Sequence, residues 1–234
     1  MKRSVILFTI VSFLAFGASF AQVSKGDFSL FGNILFPQRD FAREAGIETG
    51  SGFGIEYTYP INAPEAIWIT RIINYFLTAE LGNPIDSLGI SWITSASLFL
   101  NYKDNSNDSD YFKDGPKPII KGNYYNIPIL IGFKVHGDVS RAISGYAIAQ
   151  IGFNFVKPPS FAGPIYEESF DFSKSFGFGI GGGFVFFDRF NVGIRFYNFG
   201  SKIKSKTIYD RRIVALNKYK KSVSMLLVMF GIQF

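Results

Sequence analysis

Few side chains in this sequence could carry out nucleophilic or metal chemistry. There is one histidine, His136, and there is no cysteine. A serine hydrolase needs a histidine that accepts the proton of its nucleophile, and a zinc site needs several histidine, cysteine or carboxylate ligands. His136 falls in "HGDVS", 136–140, which predicts a turn. We therefore predict that the protein is not an enzyme and holds no cofactor.

A glycine-rich stretch, "GFGIGG" at 177–182, matches the G-x-G-x-x-G spacing of dinucleotide-binding proteins. That site needs a helix to begin at the glycines, so that its N-terminus faces the pyrophosphate. The residues that follow, "GFVFFDRF", predict a strand instead. We interpret the glycines as one face of a strand that leaves room for larger side chains.

An acidic stretch, "DNSNDSDYFKD", places Asp104, Asp108 and Asp110 at alternating positions, as in the first half of a calcium-binding loop. The glycine and the final glutamate of such a loop are missing, because Ser109 and Gly115 stand at those positions. An exposed loop rich in Asp and Asn is the simpler interpretation, and weak Ca²⁺ binding is the alternative.

A basic stretch, "SKIKSKTIYDRRIVALNKYKK" at 201–221, carries a single acid, Asp210. Its cations are Lys202, Lys204, Lys206, Arg211, Arg212, Lys218, Lys220 and Lys221. Such a cluster attracts polyanions. At a cell surface these would be lipopolysaccharide phosphates or glycans, whereas a secreted chain rarely meets nucleic acid. We predict a surface loop that binds such anions, with a merely solvated loop as the alternative.

The N-terminus has the parts of a secretory signal peptide. A positively charged start precedes an apolar stretch, 5–17, and Ser19 and Ala21 are the small residues before a cleavage site. The apolar stretch is short for a transmembrane helix, which needs about 20 residues. We predict a signal peptide over 1–21 and a single domain over 22–234.

The rest of the chain is dominated by segments in which apolar side chains alternate with small or polar ones. Examples are "GISWITSASLFLNYK", "NYYNIPILIGFKV" and "SFGFGIGGGFVFFDR". One face is rich in Phe, Ile and Leu, and the other in Gly, Ser and Asn. This pattern is typical of a transmembrane β-barrel. A soluble β-sandwich, the alternative, also alternates but faces water with its polar side.

Connection lengths give the barrel a direction. Four long connections would fall on one side: 37–51, 104–121, 157–172 and 201–220. The short turns at 136–140 and 188–190 would fall on the other. Outer-membrane barrels have long external loops and short periplasmic turns. We predict an all-β, antiparallel up-and-down barrel of eight strands, with both termini in the periplasm.

One segment, 62–86, fits this scheme poorly. Its apolar residues alternate as in a strand, which would favour a ten-stranded barrel with one further strand. Asn62, Pro64 and Glu65 instead have the spacing of a capped helix start. We predict an amphipathic periplasmic helix that is available to dock an envelope protein.

Three charged residues of the predicted strands point into the barrel: Glu56, Lys134 and Arg195. An eight-stranded lumen is only wide enough for side chains, and an unpaired charge inside it would be costly. We therefore expect a Glu–Lys/Arg cluster that closes the lumen. A small-solute channel or a transport or secretion component is the alternative, which the space beside Gly and Ser would favour.

Several phrases resemble the outer-membrane β-barrel domain family common in Bacteroidetes. They are "YYNIPILIGFKV", "GYAIAQIGFNF" and "SFGFGIGGGFVFFDRFNVGIRFYNFG", followed by a last strand that ends in Phe. That family includes PorT-like proteins and is related in architecture to the OmpA barrel. The resemblance covers 28–60 and 89–234. It implies an eight-stranded barrel in the outer membrane of a Gram-negative bacterium, and it brings no catalytic motif.

The last strand, "SVSMLLVMFGIQF", places Phe230, Ile232 and Phe234 on one lipid-facing stripe. The resemblance implies insertion by the barrel assembly machinery, which is thought to read a C-terminal aromatic residue, so we expect these residues to form the assembly signal. Together, the sequence predicts a non-enzymatic outer-membrane barrel. Its lumen would be closed. Its long surface loops would serve envelope stability, adhesion, or the binding of lipopolysaccharide or a partner. An outer-leaflet enzyme is a further alternative.

Overall fold

A computed structural model describes most of the chain. The described residues are 26–38, 41, 47–61, 68–75, 86–103, 119–121, 123–162, 166–209 and 212–234. They form strands β1 (Asp27–Pro37), β2 (Ile47–Pro60), β3 (Asp86–Lys103), β4 (Ile119–Lys121), β5 (Tyr124–Ser140), β6 (Ile143–Lys157), β7 (Ser160–Ala162), β8 (Tyr166–Phe170), β9 (Ser173–Phe186), β10 (Phe190–Tyr209) and β11 (Arg212–Gln233). The predicted signal peptide, 1–21, lies outside the described residues.

Eight of these strands close into a barrel. The order is β1-β2-β3-β5-β6-β9-β10-β11, all neighbours are antiparallel, and β11 pairs with β1 as well as with β10. Closure leaves the barrel wall without an unpaired strand edge. The predicted eight-stranded up-and-down barrel is therefore confirmed, and the ten-stranded alternative is wrong.

The register fixes the width of the barrel. One row of paired residues, followed around the wall, leaves β2 at Pro60 and returns to it at Gly50, ten residues away. The row is Pro60, Ser91, Lys134, Ile148, Gly181, Arg195, Leu227, Leu35 and Gly50. Such a stagger tilts the strands by about 35–45° and leaves an eight-stranded interior just wide enough for side chains.

The outside of the wall is apolar. On β9 the outward side chains run from Phe176 to Phe186, and Phe176, Ile180 and Phe184 are about half exposed or more. The next outward position beyond Phe176 is the charged Lys174. Ten residues of a strand tilted by about 40° span roughly 25 Å, which is the height of the apolar band of outer-membrane barrels.

At the end of the barrel away from the termini, the strands continue past this band. β10 and β11 stay paired as far as Tyr209 and Arg212, and β8, β7 and β4 extend the sheet from β10. The predicted loop at 201–220 is therefore wrong, because these residues form the arms of a β-hairpin. The predicted loops at 157–172 and 37–51 also contain strand residues, those of β7, β8 and β2.

Two of the three connections at the other end are tight turns. β5 continues to Ser140 and the turn lies at 141–142, so the predicted turn at 136–140 is wrong and His136 belongs to a strand. The turn between β9 and β10 has positive φ at Phe187 (53°) and Asp188 (56°). Two consecutive positive φ angles match a type I′ turn, which is closed by a hydrogen bond from Arg189 N to Phe186 O. Three residues, 187–189, separate the paired residues Phe186 and Phe190.

The connection between β2 and β3 contains a helix over 68–75. This confirms the helical interpretation for that part of 62–86, while 62–67 and 76–85 lie outside the described residues. Among the described residues, no helix has the length and apolar character needed to cross a membrane.

Candidate functional site

The glycines of β9 make room for the largest side chains of the lumen. A Cβ atom at Gly181 would lie 2.7 Å from Arg195 Cγ, and one at Gly177 would lie 2.6 Å from Phe199 Cδ1. A Cβ atom at Gly179 would meet the ring of Tyr197 inside van der Waals contact. The interpretation of "GFGIGG" as a space-making stripe is confirmed. No helix begins there, because β9 continues to Phe186.

A buried ion pair crosses the lumen. Arg195 Nη2 donates to Glu56 Oε2, and the two side chains are 0% and 1% exposed. Arg195 Nη1 also donates to the hydroxyl of Tyr197 at 3.5 Å, and the guanidinium lies 5.4 Å from the ring centroid of Phe31. β2 and β10 supply the two charges from opposite parts of the wall, so the pair ties them together through the interior.

Lys134 lies in the same lumen but outside this pair. Its side chain is 4% exposed, and Nζ lies 4.9 Å from the ring centroid of Tyr146. Among the described residues it makes no ion pair. The structure therefore brings together Glu56 and Arg195 of the expected three-residue cluster, and it places Lys134 against an aromatic face, where a cation is stabilised by the ring quadrupole.

An apolar cluster fills much of the remaining interior. Its buried members are Phe31, Leu35, Phe41, Phe99, Tyr124, Leu130, Val156, Tyr197, Phe199, Val223, Met225, Leu227 and Met229. The sequence analysis of the lumen considered only its charged residues and did not predict this cluster. The alternation in the last strand could have predicted it, because Leu227 and Met229 occupy inward positions there. Buried polar side chains such as Asn101, Asn126 and Gln150 share the interior with this cluster, so the lumen is filled by both apolar and polar groups.

A cavity of about 90 Å³ opens at the end of the lumen where β1 begins and β11 ends. Its lining is polar: Asp27, Thr58, Lys134, His136, Ser144, Gly145, Tyr146, Val185, Asp188 and Gln233. This volume holds a few water molecules. Among the described residues, no group of three His, Cys, Asp or Glu side chains could hold a metal ion.

His136 is paired with a serine that sequence analysis did not connect to it. Ser91 Oγ and His136 Nε2 lie 3.2 Å apart, because β3 and β5 are neighbours. Ser91 is 2% exposed and does not line the cavity. His136 lines the cavity, and its contact with Ser91 gives both side chains a polar partner inside the barrel.

The basic residues lie along the β10–β11 hairpin, outside the apolar band. In the register, Lys202 is opposite Lys220 and Lys204 is opposite Lys218. Lys206 forms an exposed ion pair with Asp171, with 2.7 Å between Nζ and Oδ2. The other cations of this stretch are Arg212 and Lys221, which belong to β11, and Arg211, which lies outside the described residues. The acidic stretch with Asp104, Asp108 and Asp110 also lies outside them.

The last strand presents Phe230, Ile232 and Phe234 on the outer face, where they are 53%, 43% and 39% exposed. Phe234 is held by two backbone hydrogen bonds to Phe28, one in each direction. The terminal residue is thus part of the closed wall.

These features define a class of protein. In the hydrocarbon core of a bilayer every backbone polar group must find a partner within the protein, and a closed β-barrel meets that condition. A closed barrel with an apolar outer band and a filled interior is a transmembrane β-barrel, the class found in outer membranes.

Comparison with known proteins finds only distant similarity. No family model and no curated protein matches this chain. Among solved structures, the outer membrane enzyme PagL has 9% identity and a TM-score of 0.46, covering 87% of this chain and 98% of its own. OprG from Pseudomonas aeruginosa has 13% identity and a TM-score of 0.46, and the match covers 89% of this chain and 96% of OprG. A major outer membrane protein from Thermus thermophilus has 12% identity and a TM-score of 0.47, and the match covers 89% of this chain and 99% of that protein. At these values, none of them bears on what this chain does.

Proposed function

We propose that this chain is a non-enzymatic outer-membrane barrel that closes its lumen and presents a cationic β-hairpin to an anionic cell surface. The turns at 141–142 and 187–189, the start of β1 and Phe234 lie at one end of the barrel, together with the β2–β3 connection. The connections that follow β1, β3 and β6 and the β10–β11 hairpin lie at the other. This asymmetry supports a periplasmic position for the termini. The resemblance to PorT-like barrels belongs to the same proposal.

The observation that carries the surface role is the register of the hairpin. It sets two lysine pairs directly opposite each other, Lys202 with Lys220 and Lys204 with Lys218. Like charges at directly opposed positions destabilise a strand pair. A bound polyanion would relieve this repulsion. Lipopolysaccharide, with its phosphate groups, is the polyanion that surrounds an outer-membrane barrel on its external side.

We expect the quadruple variant K202Q/K204Q/K218Q/K220Q to bind lipopolysaccharide at least about tenfold more weakly than the unmodified protein, since each lysine near an anionic surface contributes about 1 kcal/mol. Binding of fluorescent lipopolysaccharide to the barrel in phosphatidylcholine nanodiscs measures this, and the difference should shrink at high salt. The matched control is D171N/K206Q, which removes a neighbouring exposed ion pair without changing the net charge. Equal affinity of the quadruple variant and the unmodified protein would refute the surface role.

We also expect no large, steady conductance across a planar bilayer that contains this protein. The buried Glu56–Arg195 pair and the apolar cluster occupy the lumen, and an eight-stranded barrel has little space beyond its own side chains. The measurement uses a general porin as the open reference and a protein-free bilayer as the closed one. Steady open channels would support the alternative of a solute channel.

The outward stripe of Phe230, Ile232 and Phe234 supports the proposal that the last strand is the signal for barrel assembly. In this position the terminal aromatic residue is accessible on the outer face of the strand that closes the wall. Docking of an envelope protein on the β2–β3 connection stays a prediction and is an alternative to contact of that connection with the membrane.

A further inference from the structure

The helix over 68–75 exposes its apolar side. Trp68, Ile69, Ile72 and Tyr75 are 68%, 49%, 42% and 74% exposed. At 3.6 residues per turn these four side chains fall within an arc of about 120°. The exposed Arg71 borders this arc. Exposing a continuous apolar face to water is unfavourable. Contiguous exposed apolar patches therefore mark contact sites.

The opposite side of the helix is half-buried and largely polar. Thr70, Ile73 and Asn74 are of intermediate exposure. The usual arrangement of a surface helix, with its apolar stripe inward and its polar face outward, is therefore reversed here. A reversed helix of this kind suits an apolar environment outside the protein.

The position of the helix in the chain indicates which environment that is. The helix lies in the connection between β2 and β3, at the end of the barrel where β1 begins and β11 ends. Just before this connection, Tyr59 pairs with Trp92, and both are about half exposed on the outer wall. Aromatic residues of this kind form the girdles at which a barrel meets the lipid headgroups. The connection thus leaves the barrel close to the membrane surface.

We propose that the face formed by Trp68, Ile69, Ile72 and Tyr75 lies in the headgroup region of the adjacent lipid leaflet, as a short interfacial helix. Trp and Tyr prefer this region because their rings are apolar and their N–H and O–H groups are polar. Arg71, on the border of the face, is placed to contact lipid phosphates. The proposal rests on the barrel spanning a bilayer, and its occupant is lipid, not a docked protein.

The chain offers a direct test, since it contains two tryptophans, Trp68 and Trp92. The variant W92F leaves Trp68 as the single tryptophan. In phosphatidylcholine vesicles that contain this barrel and no other protein, we expect the emission of Trp68 to be blue-shifted relative to tryptophan in water. It should be quenched by lipids brominated near the top of the acyl chains, because interfacial helices bury their apolar face by about 5–10 Å. It should be shielded from acrylamide in the water phase. Introducing I72D into W92F should reverse all three effects while the barrel stays folded.

The matched control W68F leaves Trp92, on the barrel wall, as the reporter. Quenching of Trp92 by brominated lipid shows that the barrel is inserted, so a failed barrel and a failed helix proposal give different results. If Trp92 is quenched by lipid while Trp68 is quenched only by acrylamide, the proposal is overturned, and the face is then left to water or to a protein partner.

Discussion

Replacing Glu56 with glutamine is expected to lower the free energy of unfolding by about 3–5 kcal/mol, because breaking a buried ion pair leaves an uncompensated buried charge. Arg195 is 0% exposed and donates to Glu56 across the lumen. Within the described residues it has no second carboxylate partner. Urea unfolding of the barrel in lipid vesicles, followed by the shift in electrophoretic mobility between folded and unfolded forms, measures the loss.

Two further variants separate the charge effect from simple loss of packing. The double variant E56M/R195M should lose much less stability than E56Q, because it removes both charges and keeps apolar volume. The matched control is D171N, which breaks the ion pair between Asp171 and Lys206. The side chains of Asp171 and Lys206 are 56% and 41% exposed. This exposed pair should contribute at most about 1 kcal/mol. If E56Q and D171N lower the free energy of unfolding by the same amount, the Glu56–Arg195 pair does not stabilise the closed barrel.

The second large effect is expected for Gly179→Ala, which should destabilise the barrel by about 1–3 kcal/mol through overpacking. The added methyl group would meet the ring of Tyr197. That ring has little freedom to move. It stacks with Phe99 at 6.0 Å between centroids, packs against Phe199 at 5.6 Å, and its hydroxyl accepts a hydrogen bond from Arg195. The same unfolding measurement applies.

Gly32→Ala is the matched control, since it adds the same methyl group on the outer wall, where the nearest atom is 4.0 Å away. Its effect should stay within about 0.5 kcal/mol. The double variant G179A/Y197L should recover part of the stability that G179A loses, because leucine leaves the site of the new methyl group free. Equal losses for G179A and G32A would show that the glycine stripe does not exist to accommodate the lumen side chains.

The barrel itself could be predicted because lipid imposes a strict alternation on every strand that crosses it. Glu56 and Arg195 could be assigned to the interior by parity alone. A Glu–Lys/Arg cluster was expected from the narrow lumen and the cost of an unpaired charge. Which cation pairs with Glu56 could not be derived, because it depends on the stagger of the wall. Gly179 faces Tyr197 only in the register that follows from the turn at Phe187 and Asp188. Neither residue is the glycine or asparagine that normally announces such a turn.

The hairpin was mistaken for a loop for a related reason. Outside the lipid, a strand needs only backbone hydrogen bonds and no continuous apolar face. The lysine-rich stretch around Lys202 and Lys220 therefore lacks the pattern that identifies the membrane strands. The turn at 136–140 was misplaced because Gly137 and Asp138 are typical turn residues. In the structure Asp138 accepts a hydrogen bond from Ser144, and the chain reverses later.

The pairing of β1 with β11 has a consequence for the order in which this protein can fold. The barrel wall has eight strand pairs. If the short strands β4, β7 and β8 are left aside, seven of these pairs join strands that follow each other along the chain. The eighth joins Ser29–Pro37 to Met225–Gln233, so it cannot form until nearly the whole polypeptide has been synthesised. Until then β1 is an exposed edge that invites aggregation. A chain that stops short of its final strand would keep that edge permanently. An unassembled chain is therefore expected to be prone to aggregation at this edge until its last strand is available.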